Sequence, residues 1–299
     1  MRQQDEEIHL IAEAAAFNAG TVSRLPDRTA ARGMAAPVSP ILRHGGPACP
    51  LVSGTPKDPR PVLIILHQES SSPGRVGNAL RLLGHPLDIR RPRFGDPLPE
   101  TLDDYAGAVM FGGPMSANDP DDFVRQEIDW ISVPLKEDRP FLGICLGAQM
   151  LAMQLGAQVA PHPQGRAQIG YYPIRPTAAG LAVCADWPDH VYHWHREGFG
   201  LPAGAELLAE GSDFPVEALR YGHSFGFQFH PDVTTAMMHR WTTRGHERLA
   251  LPGARPRRDH FAHRAVHDVA ERAWLKHFLD GWLAQMPLVA PDAMREAAE

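Results

Sequence analysis

Cysteine is scarce in this chain, with only 3 cysteines among 299 residues. Cys49, Cys145 and Cys184 lie far apart and form no CxxC pair, which argues against a disulfide framework and against a zinc cluster. Isolated cysteines of this kind are typical of a reducing compartment. We therefore expect a cytoplasmic protein that uses no metal and no cofactor.

An excess of positive charge and long apolar runs are also lacking. The formal net charge is −6, which argues against a nucleic-acid-binding surface. No apolar run approaches the roughly 20 residues that a membrane helix needs. The amino terminus, MRQQDEEIHL, carries acidic residues where a signal peptide would carry positive charge. The expected partners therefore include neither nucleic acid nor a membrane, and a small-molecule substrate is expected instead.

Sustained periodicity is missing from the first part of the chain. Residues 1–59 are crowded with Pro, Gly, Ala and Arg, and we predict a disordered amino-terminal extension there. A single α/β domain is predicted over residues 60–248. Residues 249–299 are predicted to form a loop, a helix over 264–285 that packs on the domain through a broad apolar stripe, and a frayed tail.

Short apolar segments alternate with amphipathic ones from residue 61 onward. The predicted strands are PVLIILHQ, LDIRR, YAGAVMFGG and PFLGI, and the predicted helices are GRVGNALRLLGH, DDFVRQEIDWISVPLKE and LGAQMLAMQLGA. Near-continuous apolar strands between helices are typical of a parallel sheet covered on both faces. We predict an α/β fold: a doubly wound, mostly parallel sheet flanked by helices, flavodoxin-like, with an additional short antiparallel β region in the second half.

One cysteine lies where a predicted strand gives way to a predicted helix, in PFLGICLGAQ at residues 140–149. A sharp strand-to-helix turn exposes its central side chain and needs small residues two positions away on either side, which Gly143 and Gly147 provide. The helix amino terminus would also favour the thiolate form of Cys145. The alternative is an ordinary buried cysteine with a packing role.

A candidate base lies in FGFQFHPD, at residues 225–232. His230 ends an apolar strand, and Asp232 could accept the second ring N–H and so hold the imidazole in one tautomer. In VMFGGPMS, Gly112 and Gly113 could present backbone N–H groups to a substrate oxygen, and the N–H of Leu146 would be a second donor. The alternatives are a structural histidine at a strand end and an ordinary Gly-Gly-Pro turn.

The ordered motifs FGGPMS, GICLGAQ and FQFHPD resemble those of the class I, or triad-type, glutamine amidotransferases. The chain is most similar to the free-standing, GMP-synthase-like branch, over about residues 61–241. The resemblance implies that Cys145 is the nucleophile, His230 the base and Asp232 the orienting carboxylate. It also implies that Gly113 and Leu146 supply the N–H groups of an oxyanion hole.

Substrate-binding roles follow from the same resemblance. It implies that Gly112 and Gln149 contact the glutamine moiety. The segment VYHWHREGFGLP matches the tryptophan–histidine segment of the branch, so His195 and Glu197 are expected to line the rim of the site. HQESSSPGRVG, at residues 67–77, also resembles the branch but suggests no role.

Two positions depart from the family pattern. Asp232 stands where the family usually has glutamate, and His193 stands where relatives commonly have glutamine. The loss of one methylene moves the carboxylate back by about 1.5 Å. Either the local backbone absorbs this shift or His230 is poorly oriented; we expect a working triad.

The implied reaction is hydrolysis of the γ-carboxamide of glutamine through a Cys145 γ-glutamyl thioester, which releases glutamate and ammonia. The sequence contains no GxxxxGK[ST] loop and no SGG-type loop for ATP, so a synthetase that consumed the ammonia would be a separate polypeptide. One alternative is a stand-alone hydrolase of γ-glutamyl peptides or amides. Another is a catalytically weak regulatory or interaction module that retains the fold.

Three histidines near the carboxyl terminus could share one helix face. His260, His263 and His267 are spaced i, i+3 and i+7. No carboxylate or cysteine pattern accompanies them, so we expect a solvated, partly packed face rather than a metal site.

Overall fold

A central sheet of eight strands runs through the part of the chain that the computed structural model describes, residues 60–284. The extension predicted over residues 1–59 and the tail beyond residue 284 lie outside the described residues. The described residues form twelve strands, of which eight belong to this sheet. They are β1 (Val62–Ile65), β2 (Leu87–Arg90), β3 (Gly107–Met110), β4 (Phe141–Ile144), β5 (Val159–Pro161), β6 (Gln168–Pro173), β7 (Arg175–Pro176), β8 (His190–His195), β9 (Glu197–Phe199), β10 (Glu206–Glu210), β11 (Ala218–Tyr221) and β12 (Ser224–Phe227).

The sheet has a parallel half and an antiparallel half. Its order is β2-β1-β3-β4-β12-β11-β10-β7. The pairs from β2 to β12 are all parallel, and the pairs from β12 to β7 are all antiparallel. Two small antiparallel sheets, β5-β9 and β6-β8, lie apart from it. The predicted fold class is confirmed, including the short antiparallel region.

Both faces of the sheet are buried, as the near-continuous apolar strands indicated. Along β1, Val62 and Ile64 belong to one core cluster while Leu63 and Ile65 belong to the other. Successive side chains of a strand point to opposite faces, so this alternation places a helical layer on each side. The fully buried β1 is therefore an interior strand of a three-layer structure.

Two helices have boundaries that differ from the predicted ones. The helices are α1 (Gly74–Leu82), α2 (Asp122–Trp130), α3 (Ser132–Lys136), α4 (Leu146–Gln154), α5 (Ala178–Val183), α6 (Thr235–Arg244) and α7 (Arg257–Leu283). The single helix predicted from DDFVRQEIDWISVPLKE is two, because Pro134 has no N–H to bond the carbonyl one turn earlier. Helix α7 begins seven residues before the predicted position 264, directly after Pro256. Proline fixes its own φ but leaves the following residues free to start a helix.

The long carboxyl-terminal helix packs on the parallel half of the sheet. Trp274, Phe278 and Trp282 of α7 are buried in the same core cluster as Phe227 of β12. The ring centroids of Phe227 and Phe278 are 4.8 Å apart in an edge-to-face arrangement. Although α7 has 27 residues, charged residues interrupt its apolar stripe, and none of the described helices is both long and apolar enough to span a membrane.

Candidate active site

The candidate site lies at one edge of the sheet because four neighbouring strands are parallel. Strands β1, β3, β4 and β12 end at the same edge, where α/β proteins place their ligands. His67 follows β1, Gly112 and Gly113 follow β3, Cys145 follows β4, and His230 follows β12. Residues that are distant along the chain are therefore brought into one loop cluster.

Cys145 sits on a strained turn between β4 and α4. Its φ of 50° and ψ of −104° lie outside the usual regions for a residue with a side chain. A Cβ on Gly143 would lie 2.5 Å from the carbonyl carbon of Gly147, and a Cβ on Gly147 would collide with the Met110 carbonyl oxygen. Only glycine fits at both flanks, so the predicted elbow is confirmed. Backbone strain of this kind costs about 1–3 kcal/mol and tends to occur at functional sites.

His230 and Asp232 form a hydrogen-bonded pair beside the cysteine. Nδ1 of His230 lies 3.1 Å from Oδ1 of Asp232, with both side chains buried. A Cβ on Gly112 would lie 2.7 Å from Cε1 of His230 and 3.4 Å from Cβ of Cys145, so both side chains border the same glycine. The shorter carboxylate therefore reaches the ring.

Charges around His230 favour its protonated form. Burial by itself lowers the pKa of His230, but the charge of Cys145, the charge of Asp232 and hydrogen bonds to both residues together raise it to about 10. The charges that face the ring therefore outweigh the effect of burial and favour the imidazolium form of His230.

The coupling between Cys145 and His230 gives an expected titration result. In the Cys145→Ala variant the pKa of His230 should fall by at least about one unit, because the thiolate charge is lost while burial remains. Ring ¹⁵N chemical shifts measured against pH would report this change, with His230→Gln used to assign the resonance. A pKa of His230 that is the same with and without the cysteine would contradict the ion pair.

Two backbone N–H groups near the cysteine are available as donors. Leu146 is the first residue of α4, so its N–H has no partner in the helix, and Gly113 lies in the loop after β3. Neither N–H donates a backbone hydrogen bond to any of residues 60–284. Gly113, Cys145 and Leu146 line one small pocket of about 40 Å³. The predicted oxyanion donors are thus brought to the same cavity as the cysteine.

A buried pair that the sequence did not suggest holds the Gly112 carbonyl. Nδ1 of His67 lies 3.2 Å from the Gly112 oxygen, and Nε2 lies 2.7 Å from Oε2 of Glu127, a residue of α2. The side chains of His67 and Glu127 are both fully buried. The Gly112 carbonyl and the Gly113 N–H belong to the same trans peptide and point in opposite directions. The contact between His67 and this carbonyl therefore turns the Gly113 N–H away from His67.

Nε2 of Gln149 and both ring nitrogens of His195 are engaged within the protein. Nε2 of Gln149 donates to the Glu197 carbonyl at 2.9 Å and to Oε1 of Gln228 at 3.3 Å. Nδ1 of His195 lies 2.9 Å from the same Glu197 carbonyl, and its Nε2 lies 3.0 Å from Nδ1 of His193. Gln149, His195 and Glu197 all line the small pocket. The first two therefore shape its wall and hold the backbone at Glu197.

A second polar cluster shares His195 with this wall and is buried. His193, His195 and Glu217 each offer one ligand atom within 4.8 Å of the others, a spacing that could hold a metal ion. Burial lowers the pKa of His193 well below its ordinary value and that of His195 to about 3, and it raises the pKa of Glu217 well above its ordinary value. Burial therefore favours the neutral form of each of the three groups.

The three histidines of α7 do not form a common polar face. His260 is fully buried, and its Nδ1 lies 2.9 Å from the Tyr192 hydroxyl oxygen. The expected solvated face was therefore wrong for His260, because β8 packs over that side of the helix. His267 instead stacks on His190 and groups with Asp189 at the surface.

The fold and the site together define a class: an α/β protein with a cysteine on a strand-to-helix elbow beside a histidine–carboxylate pair. The model of the family described as glutamine amidotransferase class-I matches residues 70–244. The chain therefore belongs to the class I glutamine amidotransferase family, and the resemblance inferred from the three motifs is confirmed.

Individual relatives agree with this assignment. The glutamine amidotransferase-like protein YfeJ of Salmonella typhimurium is 32% identical over 224 residues, which cover 71% of this chain and 90% of that protein. A glutamine-hydrolysing GMP synthase subunit of Ignicoccus hospitalis is 30% identical over 164 residues, which cover 53% of this chain and 81% of that protein. The crystal structure of a glutamine amidotransferase from Methylobacillus flagellatus, at 27% identity, superposes with a TM-score of 0.71 and covers 76% of this chain and 95% of that one.

Proposed function

We propose that this protein hydrolyses the γ-carboxamide of glutamine through a γ-glutamyl thioester on Cys145, releasing glutamate and ammonia. The observation that supports this most strongly is the meeting of the strained Cys145 elbow with His230, whose ring is held by Asp232 at 3.1 Å. Each part is needed for covalent catalysis by cysteine: a nucleophile, a proton carrier and a group that orients the carrier.

The reaction runs in two halves. The Cys145 thiolate attacks the carbonyl carbon of the γ-carboxamide of glutamine, and His230 gives its proton to the departing nitrogen, so that ammonia leaves and a thioester forms. His230, now neutral, takes a proton from water, and the hydroxide attacks the thioester carbon. The C–S bond breaks, glutamate leaves, and the proton on His230 restores the thiolate–imidazolium pair.

Both halves pass through an oxyanion that the backbone would stabilise. The N–H groups of Gly113 and Leu146 are the proposed donors, since both residues border the small pocket beside Cys145 and neither N–H is used in a backbone hydrogen bond within the described chain. Each such donor can lower the barrier by about 2.7–4 kcal/mol.

The small pocket carries charges that suit an amino acid. Arg196 and Arg248 supply positive charge at its wall, and Glu197 supplies negative charge. These signs match the α-carboxylate and the α-ammonium group of glutamine. In the proposal, Gln149 and His195 shape the cavity around the side-chain amide, and Gly112 borders Cys145 and His230 next to it.

The ammonia could be used by a separate synthetase subunit. One relative is named as a subunit of GMP synthase, which motivates this part of the proposal. The first test is simpler: the purified protein should release ammonia and glutamate from glutamine in equal amounts. No release above that of a Cys145→Ala variant would contradict the proposal, and it would favour a regulatory module that retains the fold only if γ-glutamyl peptides are not cleaved either.

His67 and Glu127 are proposed as positioning residues for the oxyanion hole, because they hold the Gly112 carbonyl and so orient the Gly113 N–H. The Glu127→Gln variant serves as the reference, and adding His67→Leu to it removes the hydrogen bond to Gly112. Relative to this reference, kcat for glutamine should fall by about 10–100-fold while KM stays within about threefold. Steady-state kinetics would measure the split between kcat and KM.

A conservative variant provides the control for this prediction. Asn at position 67 places an amide donor where Nδ1 of His67 stands, so His67→Asn with Glu127→Gln should recover most of the lost kcat. Thermal unfolding of both double variants would show whether they are equally stable. Equal loss of kcat in the Leu and Asn variants would mean that the pair is only structural.

A further inference from the structure

A second, larger cleft opens on the His230 side of the site. Its volume is about 250 Å³, and His230, Asp232 and Trp241 contribute to its wall, whereas Cys145 does not. Gly113 and Trp194 line both this cleft and the small pocket. A molecule that lay across Gly113 would therefore have one part beside Cys145 and its other part beside His230.

The size of this cleft exceeds what the ammonia released from glutamine would occupy. Ammonia is about as large as water, and a water molecule needs only about 10–15 Å³ of such space. The cleft has about 250 Å³. Part of its wall is apolar, formed by Met237 and by Trp241, whose ring centroid is 4.9 Å from that of His230. Such a wall suits a carbon-containing group attached to the scissile nitrogen.

The cleft also has an excess of positive charge. Arg240, Arg244 and Arg248 follow one another at intervals of four residues along α6 and the turn after it, and all three line the cleft. Among the salt bridges of the described residues, none involves these three arginines. The carboxylates on the same wall are Asp232, which pairs with His230, and Glu247, whose Oε2 is 3.7 Å from His246 Nδ1.

We propose that the cleft is a leaving-group subsite and that the preferred substrates are γ-glutamyl peptides rather than glutamine. This inference rests on the proposed thioester chemistry. The γ-glutamyl unit occupies the small pocket, the side chain of the second amino acid lies against Trp241 and Met237, and its α-carboxylate meets Arg240 and Arg244. Arginine suits this role because its planar guanidinium can donate two parallel hydrogen bonds to a carboxylate.

The position of His230 fits this assignment. The leaving nitrogen must receive a proton as the C–N bond breaks, and His230 lines the cleft that would hold the leaving group. The proton moves from His230 to the nitrogen, the second amino acid departs with a neutral amine, and water then hydrolyses the thioester. Overall, one γ-glutamyl peptide and one water give glutamate and one amino acid.

Substrate comparison tests the subsite on the whole protein. The probes are γ-glutamylphenylalanine, its C-terminal carboxamide and glutamine. We expect kcat/KM for the acid to exceed that for the carboxamide by at least about tenfold, and to exceed that for glutamine as well. Equal rates for acid and carboxamide, or a preference for glutamine, would overturn the subsite and favour delivery of ammonia to a synthetase.

Two substitutions locate the effect. In the double variant Arg240→Gln/Arg244→Gln, the ratio of kcat/KM for the acid to that for the carboxamide should fall to about one. Arg248 is left unchanged because it also lines the small pocket. The matched control is Arg81→Gln, an exposed arginine of α1 that lines neither cavity, which should keep the wild-type ratio. An unchanged ratio in the double variant would also overturn the proposal.

A binding measurement separates this inference from the proposed function. In the Cys145→Ala variant, calorimetry should show γ-glutamylphenylalanine binding at least about tenfold more tightly than its carboxamide, and the two arginine substitutions should remove the difference. Turnover of glutamine without such discrimination would reject only the subsite. Absence of turnover of every probe would reject the hydrolytic function itself, and the subsite with it.

Discussion

Replacing Cys145 with alanine is expected to lower the rate of glutamine hydrolysis by at least about 10³-fold. The reason is that the thioester route needs a nucleophile at the elbow, and alanine removes it while leaving the oxyanion donors and the pocket in place. Ammonia release from glutamine, followed over hours at high protein concentration, would measure the residual rate.

The chain provides a matched control for this substitution. Cys184 is also buried, but it lies at the end of α5, where its thiol donates to Oδ1 of Asp186 at 2.9 Å. Cys184→Ala should therefore keep the wild-type rate. A Cys145→Ala variant that retained more than one-tenth of the activity would mean that the observed hydrolysis follows another route.

Asp232→Asn is expected to lower kcat by about 10²–10⁴-fold. The amide has no negative charge to stabilise the imidazolium of His230, and its NH₂ group can turn the ring into the wrong tautomer. Because Asp232 is also one cause of the raised pKa of His230, the substitution should lower that pKa as well. Kinetics as a function of pH would detect both changes.

The family's usual residue supplies the comparison at this position. Asp232→Glu adds one methylene to a carboxylate that already reaches Nδ1 of His230 at 3.1 Å. We expect it to keep kcat within about tenfold of wild type, since the charge is retained and the loop must shift only slightly. Similar losses in the Asn and Glu variants would show that packing, rather than charge, is what position 232 contributes.

The local parts of the site could be predicted because short-range sterics determine them. Gly143 and Gly147 flank Cys145 in the chain, and their spacing alone indicated the tight elbow. Asp232 follows His230 by two residues, so the contact between them needed only a turn. The boundaries at Pro134 and Pro256 were missed although their causes are local: Pro134 lacks the N–H that would continue a helix, and Pro256 directly precedes the first turn of α7.

The parts that sequence reasoning missed are formed by distant residues. His67 and Glu127 lie 60 positions apart, and nothing in their neighbourhoods indicates that one would bond the other. The buried position of His260 depends on the packing of α7 against β8, which no periodicity could show. Two signals were available for His67: it closely follows a buried strand, and it begins the segment HQESSSPGRVG that resembles the branch.

The amino-acid sequence by itself determined the family, the parallel character of the sheet and the strained turn under Cys145. Each of these depends on which residues are neighbours in the chain: apolar runs of strand length, glycines two positions from a cysteine, and motifs in a particular order. Only the tertiary structure decided what surrounds that cysteine. The parallel order β1-β3-β4-β12 brings four loops to one edge, and the packing of α6 beside them forms a cleft whose charge and size no single segment encodes.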